Sequence, residues 1–193
     1  MFTGIIQGLG TIYKIGISNE ISIITDIDLR YCKNGSSISC DGICLTITSI
    51  KNHKNNFIFT ANVGEETKLR SNAKFWKKNT IINLETSLKV GDEIGGHFVY
   101  GHVDETITLL DIKKLKSSWN FYFSLSKNKK FIVEKGSISI NGVSLTIANV
   151  TKNNFDISII SHTYNNTNLS NLNKGDSVNI EFDALARYIL SNE

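Results

Sequence analysis

Ser36-Ser37-Ile38-Ser39-Cys40-Asp41-Gly42-Ile43-Cys44-Leu45-Thr46-Ile47 decides the fold of this chain. It returns a hundred residues later as Gly136-Ser137-Ile138-Ser139-Ile140-Asn141-Gly142-Val143-Ser144-Leu145-Thr146-Ile147. Apolar residues alternate on both sides of a central Asp41-Gly42 or Asn141-Gly142 pair. Period-two alternation marks a half-buried strand. Asp-Gly and Asn-Gly suit the tightest hairpin turn, in which both central residues need positive φ. Each copy therefore reads as strand, tight turn, strand. One reactive group differs between them: Cys44 in the first copy is Ser144 in the second. A repeated scaffold with one such exchange suggests two related sites with unequal duties.

The repeat extends outward from the hairpins. Gly4-Ile5-Ile6-Gln7 is answered by Gly101-His102-Val103-Asp104, and Asn56 to Asn62 by Asn154 to Ile160. Glu65-Glu66-Thr67 is answered by Ser161-His162-Thr163, and Ile81 to Glu85 by Ser177 to Glu181. Five correspondences in one order predict about six short strands per half. The fold class is all-β: a tandem pair of six-stranded barrels. Gly4 to Ile12 is expected to open the first half as a glycine-rich strand, with a second strand over Ile21 to Ile27. Short helices are expected over Glu65 to Asn72 and Lys127 to Glu134. At the C-terminus Asp183 suits a helix cap. Leu185, Tyr188 and Ile189 then share one helical face, which makes this tail a candidate oligomer contact.

Composition excludes several classes. The 193 residues carry a formal charge of only +3, with no basic arm for nucleic acid or membrane. No apolar run is long enough to span a bilayer, and the N-terminus lacks a secretory pattern. Three cysteines without a CxxC pair point to reduced thiols in a cytoplasm. A tandem module for single-stranded nucleic acid would need a basic groove with stacking aromatics, which this charge pattern does not offer. Four glycines between Lys89 and His102 join the halves. Apolar residues and two histidines among them favour a packed segment near a ligand over a loose joint.

Met1-Phe2-Thr3-Gly4-Ile5-Ile6, Gly42-Ile43-Cys44-Leu45-Thr46, Gly95-Gly96-His97 with Gly101-His102-Val103-Asp104, Lys135-Gly136 and Gly142-Val143-Ser144-Leu145-Thr146 closely resemble riboflavin synthase of the alpha-chain type. The resemblance runs from Met1 to about Leu190. It implies lumazine-binding barrels over residues 1–94 and 95–183 and a C-terminal oligomerisation helix over 184–193. It implies a homotrimer, a functional association with lumazine synthase, and no metal or redox cofactor. The implied reaction is a dismutation. Two molecules of 6,7-dimethyl-8-ribityllumazine exchange a four-carbon unit, giving riboflavin and 5-amino-6-(ribitylamino)uracil. The alternative is a non-catalytic lumazine- or flavin-binding protein of the same fold. The intact Gly95-Gly96-His97 and Gly101-His102 favour the enzyme.

Site residues follow from the resemblance and from the strand pattern together. Cys44 lies on the strand face opposite Ile43, Leu45 and Ile47, so it is a candidate nucleophile rather than a core residue. Cys32 and Cys40 carry no such argument. His102 suits proton transfer near neutral pH. It is expected in the opening strand of the second barrel, so that Cys44 and His102 fall in different halves and subunits lacking one or the other would complement. A zinc pair of His97 with His102 is disfavoured, since five positions apart they face opposite sides of a strand. Phe2, Ser37 and Asp183 match catalytic positions of the family, although a strand-end apolar residue, a plain strand serine and a helix cap explain them almost as well. Substrate contacts are expected on the first side from Gly4, Ile5, Ile6, Leu45 and Thr46, and from Asn62, Val63, Gly64, Glu66 and Thr67. On the second side they are expected from Gly101, Val103, Lys135, Ser144, Leu145 and Thr146, and from Ile160, Ser161, His162 and Thr163. The family often carries proline just before the threonine that Thr67 and Thr163 represent, and this chain has none.

Overall fold

The computed structural model describes residues 1–17 and 19–190. Among these residues twelve strands form two closed antiparallel barrels. In the first, β1 (Gly8–Ile15), β2 (Glu20–Thr25), β5 (Asn56–Asn62), β4 (Ile43–His53), β3 (Ser37–Cys40) and β6 (Ile81–Thr86) follow one another around the wall. The second repeats that order with β7 (Glu105–Lys114), β8 (Ser118–Ser124), β11 (Asn154–Ile160), β10 (Val143–Val150), β9 (Ser137–Ile140) and β12 (Ser177–Phe182). Short helices α1 (Glu65–Arg70) and α2 (Ser161–Asn166) sit at equivalent places, and α3 (Ala184–Leu190) follows the second barrel. The expected helix end at Ser191 to Glu193 lies outside the described residues.

Alternation along the hairpin strands fills the barrels. Ile38, Cys40, Ile43, Leu45 and Ile47 are buried in one core, and Ile138, Ile140, Val143, Leu145 and Ile147 in the other. Burying a side chain of this kind stabilises by about 1.5–3 kcal/mol. Register shifts between Ile12 and Lys14 and between Ile47 and Ser49 recur between Leu109 and Asp111 and between Ile147 and Asn149. Such bulges supply the curvature by which a small sheet closes on itself.

Some expected boundaries shift. The chain from Gly4 to Gln7 is not strand; β1 starts at Gly8, and β2 ends at Thr25 rather than Ile27. Lys127 to Glu134 forms only a single 3-10 turn, Lys129–Phe131. The segment between the barrels is exposed from Lys89 to Gly96 and begins to pack at His97 and Val99.

The two hairpin turns meet tip to tip. Asp41 and Gly42 have φ of 50° and 77°, Asn141 and Gly142 of 46° and 79°, as the tight turn demands. A Cβ on Gly42 would stand 2.7 Å from the backbone nitrogen of Gly142. Around this contact the barrels exchange hydrogen bonds. The Asn83 side chain donates to the Asn141 carbonyl at 2.9 Å, and that of Asn179 to the Asp41 carbonyl at 2.8 Å. Within each barrel the turn carboxylate or amide accepts a backbone N–H: Asn83 to Asp41 at 2.7 Å, Asn179 to Asn141 at 2.8 Å. Asn72 and Asn168 complete the ring from the 3-10 turns after α1 and α2.

Asp41 is the one carboxyl in this ring, and burial lifts its pKa from 3.8 to about 7. A raised carboxyl pKa means that folding favours the protonated form. Asp41 is therefore neutral for stability below about pH 4 and increasingly destabilising as pH rises through about 7. Asp41→Asn copies Asn141 and removes that liability. Chemical denaturation should find the variant more stable at pH 8 by about 2 kcal/mol or more, and nearly unchanged at pH 4.

Candidate functional site

Each barrel is closed at one end by a segment from the other half. Phe2 and Val99 form a two-way bridge, Phe2 N donating to Val99 O at 2.7 Å and Val99 N to Phe2 O at 3.0 Å. Beyond it the two segments cross. The Gly4 carbonyl accepts from Ser144 N, and the Gly101 carbonyl from Cys44 N, both at 2.8 Å. Ile6 packs against the second core and Val103 against the first. Both glycines have positive φ, 75° and 78°, and a Cβ on either would lie 2.6 Å from the Cβ of Ser144 or Cys44. Any other residue is excluded twice, by conformation and by contact.

Two buried glutamates hold the crossing segments from behind. Glu85 accepts from Thr3 N at 2.7 Å, Thr3 Oγ1 at 2.9 Å and Gly4 N at 3.0 Å. Glu181 accepts from Tyr100 N at 2.6 Å, Gly101 N at 2.9 Å and His102 N at 3.1 Å. Burial pushes both carboxyls above their ordinary range, and the N–H donors work against that shift. Neither glutamate is legible as a site residue from sequence. Each sits on an alternating strand some 80 positions from the backbone it binds.

Cys44, Glu66 and Thr67, expected on the first side, line one cavity of about 230 Å³ beside the first barrel, and Gly101, His102 and Val103, expected with the second half, line the same cavity. Ile43, Arg70 and Ser71 line it too and are not anticipated there. A neighbouring cavity of about 560 Å³ shares Arg70, His102 and Val103 and reaches Glu181, Arg187 and Tyr188. His102 corrects the reading made from sequence. It precedes β7, which begins at Glu105, and stands in irregular chain. It therefore joins Cys44 at the first-barrel site of its own chain. The strand-parity argument about His97 and His102 does not apply, because neither lies in a strand.

The equivalent place beside the second barrel holds Ser144 and Gly4. Here His97 Nδ1 lies 2.7 Å from Ser144 Oγ. Burial lowers the pKa of His97, with the charge of Asp183 opposing, which favours a neutral ring. Gly96 makes the approach possible: a Cβ there would lie 2.1 Å from the Thr3 carbonyl oxygen and 2.8 Å from the Ser144 Cβ. The glycine pair before His97 is the available signal in the sequence. Among the described residues no cluster of three or more His, Cys, Asp or Glu is arranged to hold a metal ion.

The other expected site residues are spread around these two places. Phe2 is fully buried at the bridge, so its side chain anchors the crossing rather than facing solvent. Leu45, Leu145 and Val63 are buried core residues, while Thr46 and Thr146 point outward on the same strands as Cys44 and Ser144. Ser37 pairs with Thr46, and its carbonyl accepts from Ser87 Oγ at 2.9 Å. Asn62 ends β5, Gly64 precedes α1, and Ile5 and Ile160 are exposed. Ser161, His162 and Thr163 open α2, where Glu65, Glu66 and Thr67 open α1. Asp183 caps α3, accepting from Leu185 N at 2.9 Å. Lys135 has φ of 65° at the place where the first repeat has Gly35, at 90°. Both backbone N–H groups there serve the same role, donating to Ile147 and Ile47 carbonyls.

A tandem pair of small barrels, each with a cleft closed by the other half, defines a duplicated-barrel protein with two equivalent clefts. The signature of the Lumazine binding domain matches twice, over residues 3–87 and 100–183. The chain is 37% identical to the riboflavin synthase of Brucella abortus over 193 residues, covering 97% of this chain and 96% of that one. It is 40% identical to that of Buchnera aphidicola over 194 residues, covering 95% and 87%. It also superposes on LumP, solved with bound riboflavin, with a TM-score of 0.81 at 24% identity, covering 94% and 99% of the two chains. The chain belongs to the riboflavin synthase family.

Lys135 tests whether a strained backbone has been kept for its side chain. A lysine at positive φ costs about 1 kcal/mol or more relative to glycine. Lys135→Gly should raise stability by about 0.5–1 kcal/mol in thermal unfolding. It should also weaken riboflavin binding, followed by quenching of flavin fluorescence.

Proposed function

We infer that this protein catalyses the riboflavin synthase reaction. Two molecules of 6,7-dimethyl-8-ribityllumazine yield riboflavin and 5-amino-6-(ribitylamino)uracil by transfer of a four-carbon unit, which makes the protein a transferase. The observation that carries this is the near-complete match to riboflavin synthases at 35–40% identity. The duplicated cleft agrees with it. A reaction of two identical molecules in different roles calls for two similar pockets with different reactive groups. Holding both rings in register can remove about 7–11 kcal/mol of the barrier.

Residues 1–94 and 95–183 serve as the two lumazine-binding barrels, with the helix from 184 onward as the assembly element. Cys44 and His102 act on the lumazine at the first barrel, His102 moving the C7-methyl proton and Cys44 meeting the electron-poor ring. Ser144, with His97 behind it, takes the second lumazine. Phe2, Ser37 and Asp183 support the reacting centre, and Lys135, Thr46, Thr67, Thr146 and Thr163 hold ring and ribityl edges. Leu185, Tyr188 and Ile189 are 67%, 74% and 68% exposed on a short helix. A homotrimer that covers them would bring the first site of one subunit to the second site of its neighbour. A cytoplasmic setting fits three unpaired cysteines, and an association with lumazine synthase would supply the substrate. No helix among the described residues is long and apolar enough to cross a membrane.

The test is turnover. Purified protein should convert two lumazines to one riboflavin and one pyrimidinedione, followed by absorbance and chromatography. His102→Gln should lower kcat by about 100-fold with a smaller change in KM. A protein that binds the lumazine but leaves it unconverted would be the non-catalytic relative instead. Because Cys44 and His102 share one cavity in one chain, mixing subunits that lack one or the other should not restore activity.

A further inference from the structure

Gln7 and Asp104 occupy equivalent places in the two halves. Gln7 N donates to Leu84 O at 3.0 Å, and its side-chain oxygen accepts from Thr86 N at 3.0 Å. Asp104 N donates to Ile180 O at 2.9 Å, and Asp104 Oδ2 accepts from Phe182 N at 2.9 Å. The roles match, but Gln7 is neutral and Asp104 is charged. In the second half a helix answers the charge: Arg187 of α3 places Nη2 2.7 and 2.8 Å from the two Asp104 oxygens.

That charge matters because of what stands next to it. Glu181, the carboxylate that holds Tyr100, Gly101 and His102, lines the same cavity as Asp104 and Arg187. Burial lifts the Glu181 pKa, and the Asp104 charge pushes it the same way. The Asp104 side chain is only 16% exposed, so water screens the pair poorly. The other charged or titratable groups on this cavity are Arg70, Tyr100, His102 and Tyr188, and Asp183 caps the adjoining helix.

We propose that Arg187 is a positioning residue for the first-barrel site, acting through Asp104 and Glu181 on the segment that carries His102. Compensating Asp104 relieves the like charge beside Glu181 and so favours its ionised form. An ionised Glu181 keeps all three N–H groups and fixes His102 beside Cys44. Without Arg187 the Asp104 charge stands unanswered beside Glu181, and the clamp on His102 slackens while the strand pairing survives. This rests on the riboflavin synthase reading for its kinetic readout, although not for its structural one.

Four proteins test it: wild type, Arg187→Lys, Arg187→Gln, and Arg187→Gln combined with Asp104→Asn. Amide hydrogen exchange at Tyr100, Gly101 and His102 needs no turnover. It should speed up in Arg187→Gln and return towards wild type in Arg187→Lys. It should also return in the double variant, where the neutral amide at position 104 imitates Gln7. Kinetically, Arg187→Gln should lower kcat about 10-fold with KM within about 3-fold, and its acidic pH limit should move upward. Asp104→Asn should rescue both. If Arg187 only docks α3, the double variant will be no better than Arg187→Gln, and that result overturns the proposal. Unchanged exchange and pH profile in Arg187→Gln would overturn it as well. Absence of wild-type turnover would refute the functional reading alone, since the exchange data would still decide this point.

Discussion

Two hairpin turns touch with no room for a side chain at either tip, and the rest of the molecule is arranged around that contact. Gly42 and Gly142 let the backbones approach, and both turns need the positive φ that glycine supplies without strain. Once the tips meet, the barrels must face each other about a local twofold axis. The side chains beside the tips are then buried between barrels. Asparagine suits that position, since it offers a donor and an acceptor without charge. Asp41 is the exception, and its raised pKa shows the cost of a carboxylate there.

The same near-symmetry explains why the clefts are crosswise. Segments 1–7 and 99–104 meet at the Phe2–Val99 bridge, close to the axis, and each continues onto the opposite barrel. The cavity beside Cys44 therefore lies between the first barrel and chain that sequence assigns to the second half. The two clefts are equivalent in backbone and unequal in chemistry: a thiol beside the His102 segment in one, a hydroxyl bonded to His97 in the other. Symmetry broken at a few side chains is what a reaction between two identical substrates requires.

Much of this is legible in the sequence. The alternation around Asp41-Gly42 and Asn141-Gly142 specifies the hairpins, and the exposed face of β4 correctly separates Cys44 from Ile43 and Leu45. The correspondence of Gly4 with Gly101 holds down to the hydrogen bond each carbonyl accepts. What fails is partner assignment. Periodicity reports which face of a strand is buried, but it says nothing about where an irregular segment docks. Gly4 to Gln7 and Gly101 to Asp104 owe their shape to carboxylates and hairpins far away in sequence. Pattern alone therefore reads them as strand and puts His102 in the wrong barrel's site. Glu85 and Glu181 stay invisible for the same reason. The His97–Ser144 contact depends on the missing Cβ of Gly96, which the glycine pair hints at without naming Ser144 as the partner.

Each cleft is held by a glutamate of the other barrel, and the shape of both sites depends on that. Protection of Cys44 from alkylation by riboflavin, followed on its own peptide by mass spectrometry, tests it most directly. Glu181→Gln, a change in the second barrel, should raise the riboflavin concentration needed to protect Cys44 by about 10-fold. Glu85→Gln, a change in the barrel that carries Cys44, should leave it within about 2-fold. The reverse ranking, with Glu85→Gln the damaging change and Glu181→Gln silent, would contradict the crosswise account.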